Sequence, residues 1–300
     1  MDKEYLWDKS GEPDPAVADI ERRLAPLKLK PRRSSLSTPR VALLAAAAAL
    51  LVVGVASHVL APDPGGWALT TLAGADCGDC RAHPGEWIET DGITSLRLAV
   101  ADIGVMDLDP RTRLRIVDTG PEGHRLQLER GRIAARVRAP PRLLIVDTPV
   151  ASAVDLGCMY TLDVESDGAG RLEVTLGEVA LESPSRVARV PAGAAAWMRP
   201  GFGPGTPLFT DASPAFSQAI GTLDFGTPSS GTLQRALELA GPRDTLSLWH
   251  QLQRVPEENR REVWDRIAAL EPGLPLDPEA LLRLEEMEIG SLWVGLSASW

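Results

Sequence analysis

The hydrophobic pattern changes character several times along the chain, and each change predicts an element. Behind Asp14-Pro15, a capping carboxylate with proline at the first helical position, Val17, Ile20, Leu24 and Leu27 recur at helical spacing. This predicts one amphipathic helix of about 13 residues, a length that is marginal alone in water. Its apolar stripe is covered only if a partner covers it. Val17, Ile20, Leu24 and Leu27 are therefore a candidate partner-binding hook. The competing reading is a solvated tail that only sets topology.

Residues 41–61 read VALLAAAAALLVVGVASHVLA, with 18 of 21 positions apolar and none charged. At 1.5 Å per residue the run spans roughly 31 Å, near the hydrocarbon thickness of a bilayer. A single transmembrane helix is predicted. A juxtamembrane linker, 62–84, follows.

Over 85–202 the period falls to two. Leu96, Leu98 and Val100 alternate with polar positions, as do Leu114 and Ile116, Leu126 and Leu128, and Ile133, Ala135 and Val137. Leu162 and Val164, Leu172, Val174 and Leu176, and Val179 and Leu181 continue the pattern. Asp109-Pro110, Gly120-Pro121, Ala139-Pro140-Pro141, Asp167-Gly168 and Ser183-Pro184 punctuate it. Short alternating strands at such spacing predict an all-β sandwich, roll or barrel.

A Gly/Pro/Thr-rich stretch, 203–228, reads as a linker. Beyond it, 229–300 returns to helical spacing: Leu246, Trp249 and Leu252, then Val263, Trp264, Ile267 and Leu270. Gly241-Pro242 and Asp277-Pro278 mark helix ends and starts. A small helical domain is predicted. The fold class is thus mainly β with a C-terminal α-helical domain and one transmembrane helix.

Charge assigns sides to these segments. The chain carries a net charge of −10, but residues 1–40 hold nine basic and seven acidic groups, including every lysine. Residues 62–300 hold 22 arginines against 34 acids. Lys28, Lys30, Arg32, Arg33 and Arg40 precede the apolar run, and only Asp63, Asp76 and Asp79 follow it closely. The positive-inside rule puts 1–40 in the cytoplasm and the bulk outside the inner membrane. Such an acidic bulk is a poor nucleic-acid binder.

Candidate chemistry is sparse. Cys77-Gly-Asp-Cys80 is a C-x-x-C pair on the outer side, readable as a local disulfide or two free thiols. With His83 it offers three zinc-type ligands but no evident fourth. His250 reads as a helix-surface or interhelical hydrogen-bonder rather than a base. No G-x-S-x-G, Walker loop or H-E-x-x-H occurs. The expectation is a non-enzyme without cofactor or metal.

Four segments carry a family resemblance. LERGRIAARV (Leu128–Val137), RLLIVDTPVASAVDLGCMYTLDV (Arg142–Val164), LEVTLGEVALESP (Leu172–Pro184) and VPAGAAAWMRPG (Val190–Gly201) resemble, in order, the strand-Gly-strand units of FecR-domain proteins. Gly131, Gly157, Gly177 and Gly193 fall at the family's turn positions. Cys158 stands where the family usually has Thr. The resemblance implies an inner-membrane regulator of the anti-sigma type. An outer β domain would receive a signal from an envelope protein or ligand, and a cytoplasmic segment would engage an extracytoplasmic-function sigma factor. The 1–40 segment is shorter than the family's helical sigma-binding domain. A different class of function, a cell-envelope structural or carbohydrate-binding module, is the alternative.

Overall fold

The computed structural model describes residues 66–229 and 231–300, which belong to one compact unit. The hook residues Val17, Ile20, Leu24 and Leu27 and the apolar run 41–61 lie outside the described residues. Among the described residues no helix is long and apolar enough to cross a membrane.

The described chain is mainly β with a C-terminal helical region. Its strands are β1 (Trp67–Ala73), β2 (Arg81–Ala82), β3 (Trp87–Glu89), β4 (Ser95–Val100), β5 (Gly104–Leu108), β6 (Arg113–Gly120) and β7 (Gly123–Val137). They continue as β8 (Leu144–Asp147), β9 (Ser152–Asp155), β10 (Met159–Val164), β11 (Gly170–Leu176), β12 (Glu178–Glu182), β13 (Val187–Pro191) and β14 (Ala194–Arg199). Two short strands, β15 (Gly203–Pro204) and β16 (Leu208–Phe209), close the series.

Two sheets share these strands. One runs β3, β6, the first half of β7, β8, β9, β12, β13; the other runs β1, β4, β5, the second half of β7, β10, β11, β14. All pairings are antiparallel except β7 with β8. The proline pair at 140–141 lies in the connection that returns the chain to run beside β7 in the same direction.

The apolar alternation predicts the core correctly at most positions. Leu98, Val100, Leu114, Ile116, Leu126, Leu128, Ile133, Leu162, Leu172, Val174, Val179 and Leu181 are all inaccessible to solvent. Leu176 is the exception, at 59% exposed. It ends β11 where the chain leaves its sheet, so its side chain turns outward.

The helices are α1 (Pro214–Phe225), α2 (Thr232–Leu239), α3 (Thr245–Arg254), α4 (Glu257–Leu270), α5 (Pro278–Leu282) and α6 (Glu286–Ser297). Ser213 caps α1 by accepting from the Phe216 amide, and Asp277 caps α5 by accepting from the Glu279 amide. The expected stripes are buried: Leu246, Trp249 and Leu252 on α3, Val263, Trp264 and Ile267 on α4. Trp249, Trp293 and Trp300 stack edge to face, with centroids 4.7 and 4.9 Å apart.

The stretch 203–228, expected as a linker, carries β15, β16 and α1. Its Gly and Pro residues give extended backbone, and α3 bonds to backbone and side-chain groups along it. Ser247 Oγ donates to the Pro207 carbonyl at 2.7 Å, and Gln251 Nε2 donates to Thr206 Oγ1 at 2.7 Å. Phe209 is buried in the same hydrophobic core that runs from the sheets into the helices.

Candidate functional site

The four glycines named from the sequence occupy one structural role. Each lies where the chain crosses from one sheet to the other. Gly131 sits inside β7 rather than in a turn between two strands. The buried positions of β7 are even before it (124, 126, 128) and odd after it (133, 135, 137), so one residue is inserted at a bend. Gly157 links β9 to β10, Gly177 links β11 to β12, and Gly193 links β13 to β14. All four have positive φ, from 78 to 96°. A Cβ on Gly131 would lie 2.3 Å from Thr112 Cα, and one on Gly177 would lie 2.5 Å from the Gly157 carbonyl oxygen. Thr112 bridges the β7 bend, accepting from the Arg132 amide at 3.0 Å and donating to its carbonyl at 3.1 Å.

A polar cluster is buried beside the Gly157 crossing. Asp155 accepts from the Gly157 amide at 2.5 Å, while its other carboxylate oxygen finds no partner among the described residues. Burial pushes its carboxyl above the usual range, against the pull of the Gly157 amide. Cys158 is buried and its thiol donates to the Glu178 carbonyl at 3.2 Å. Burial, then the nearby Asp155 charge, pushes that thiol far up. The Tyr160 hydroxyl, also buried, has no partner among the described residues.

The outer face of the second sheet presents a groove centred on Trp197, which is 49% exposed. On one side a cavity of about 240 Å³ is lined by Arg132, Thr161, Asp163, Glu165, Arg171 and Glu173. On the other side a cavity of about 420 Å³ runs past Arg199, Leu208, Gln218, Thr222 and Phe225. Arg171 lies over the Trp197 ring at 5.7 Å, and Arg199 over the Phe225 ring at 4.9 Å. A flat apolar surface flanked by acids and guanidinium groups suits a ligand with both apolar and hydrogen-bonding edges. Trp197 lies within the family-like unit 190–201, yet alternation alone marks it only as an outward strand position.

Cys77 and Cys80 lie together in the loop between β1 and β2, both half-buried and unbonded. Among the described residues no three His, Cys, Asp or Glu side chains are placed to hold a metal ion.

His250, read from the sequence as a surface or interhelical group, is buried and bonds to a strand instead. Its Nε2 accepts from the Arg189 amide of β13 at 3.0 Å, and its Nδ1 lies 2.9 Å from the Leu246 carbonyl. That pairing requires the neutral ring with the proton on Nδ1. Burial pushes its pKa well down, and the Arg254 charge adds to this.

Residues 87–180 match the family model described as FecR protein. The matched stretch runs from β3 into β12 and includes three of the four crossing glycines, Gly131, Gly157 and Gly177. No curated protein sequence matches the chain. Two crystal structures of a candidate anti-sigma factor from Parabacteroides distasonis ATCC 8503, at 1.65 and 2.50 Å resolution, are similar at 19% identity and a TM-score of 0.37. The likeness covers 45% of this chain and 63% of theirs.

Proposed function

We propose that the chain is a single-pass inner-membrane regulator, non-catalytic, in which the FecR-like domain faces the outside and the 1–40 segment engages an extracytoplasmic-function sigma factor. The observation that carries this reading is the family match over 87–180, seated on sheets that bend at the glycines of the family's units. The charge step across 41–61 supports the orientation with the N-terminus inside. The Trp197 groove is the face offered to an envelope protein or ligand. Signal transfer requires that such a ligand interact differently with two states of the regulator.

The hook supplies the inner contact. Val17, Ile20, Leu24 and Leu27 are the contact positions. Ile20→Asp together with Leu24→Asp places charge in an apolar contact, and co-purification of a co-expressed sigma factor with the full-length chain is expected to disappear. Membrane fractionation of the variant should be unchanged. Capture that survives both substitutions removes the hook and leaves 1–40 as a topology signal.

A further inference from the structure

The loop between β1 and β2 brings two thiols together in a way no structural need explains. Cys80 Sγ lies 2.6 Å from the Cys77 carbonyl oxygen, to which its thiol donates. Gly78, at φ +66° with no atom within 4 Å of a Cβ position, folds the loop back between them. The loop is pinned on both sides: the Cys77 amide donates to Thr71 Oγ1 at 3.1 Å, and the Leu69 amide donates to the Cys80 carbonyl at 2.9 Å. Cys77 and Cys80 are both half-buried, whereas Cys158 is sealed in the core.

We propose that Cys77 and Cys80 form a redox-active dithiol whose substrate is an external disulfide, with Cys77 as the attacking sulfur and Cys80 as the resolving one. The asymmetry has a physical source. The Cys80 proton is committed to the Cys77 carbonyl, which makes Cys80 the slower of the two to ionise. In keeping with this, the neighbouring Cys80 side chain, helped by Thr71, holds the Cys77 thiol below its ordinary range, while the Cys77 side chain and burial hold Cys80 above it. The thiolate is the nucleophile, so the lower thiol attacks first.

The Cys77 thiolate attacks one sulfur of the external disulfide. A mixed disulfide forms, and the first external thiolate leaves and takes up the proton lost by Cys77. The Cys80 thiol then loses its proton and attacks the Cys77 sulfur. The Cys77–Cys80 bond forms, and the second external thiolate leaves and takes up that proton. Two thiols are oxidised, one external disulfide is reduced, and two electrons and two protons change hands. Oxidation closes the loop beside the two-residue ladder Trp67↔Ala82 and Ala68↔Arg81, which by itself is a weak clasp.

This site stands independently of the regulatory reading. The test equilibrates the full-length chain with oxidised and reduced glutathione and maps the products by peptide mass. The expected product is an internal Cys77–Cys80 link, with Cys158 alkylated only after denaturation. Cys80→Ser should trap glutathione on Cys77 at least about tenfold faster than Cys77→Ser traps it on Cys80. Equal trapping rates, stable glutathione on both sulfurs without an internal link, or a link that forms only in denaturant would each overturn the proposal.

Discussion

At the scale of single residues, the crossing glycines separate two costs that sequence alone merges. Gly193 has φ +79°, and its nearest neighbour to a Cβ position is 3.8 Å away. Gly193→Ala therefore meets only the left-handed backbone penalty, about 1–2 kcal/mol. Gly177 has nearly the same φ, but its Cβ position lies 2.5 Å from backbone oxygen. Gly177→Ala should cost more than about 3 kcal/mol, because the crossing must spread to admit the methyl. Urea midpoints of the two variants measure the difference; equal losses would mean that the crossings are not packed as described. The glycines were legible in the sequence as turn positions. Their shared role was not, because a bend inside one continuous strand and a turn between two strands leave the same local pattern.

At the scale of elements, helix α3 covers the open edge of β13. The Arg189 amide goes to His250, and the Val187 carbonyl accepts from Arg254 Nη2 at 3.2 Å. Arg189 also lies 3.9 Å over the Trp293 ring of α6. An edge strand left bare would offer these groups to another chain. The cover has a pH dependence whose sign follows from burial. His250 stays neutral in the folded chain well below the pH at which it protonates when unfolded, near 6.5. The unfolded state then binds the extra proton, so stability is full above about pH 6.5 and falls as pH is lowered below it. Buried His124 shifts in the same direction and adds to the slope. Urea midpoints at about pH 7 and 5.5 should fall accordingly, and His250→Gln, which keeps an acceptor, should flatten the fall. A wild-type midpoint that does not move would refute the neutral cap. The helices themselves were legible from their stripes and Asp-Pro starts. The edge contact was not, since helical spacing shows that His250 shares a face with Leu246 but not what that face meets.

At the scale of the whole molecule, the sheets and helices are joined by one buried ionic knot. Asp224 of α1 accepts from the Thr206 amide and hydroxyl at 2.6 and 3.0 Å and pairs with Arg254 of α3 at 3.1 Å. Arg186 lies 3.8 Å from the same carboxylate. Gly, Pro and Thr across 203–228 read as a linker, and composition carries no trace of partners 18 to 48 residues away. Arg254 in helical phase with buried Ser247 and Gln251 was the available signal. Asp224→Asn leaves Arg254 buried without its counter-charge and should cost about 3–5 kcal/mol. Because one core serves both regions, far-ultraviolet and tryptophan signals should follow a single unfolding transition in the wild type. Separate transitions would mean that the helices form their own domain.

The proposed regulation requires that the segment before the apolar run contact a sigma factor, and transcription reads that contact directly. A reporter driven by the cognate sigma factor should respond to expression of the full-length chain, upward or downward. The same chain carrying Ile20→Asp and Leu24→Asp, present in the membrane at equal level, should leave the reporter at its baseline. An equal response with and without the two substitutions, or no response from the intact chain, would contradict the account.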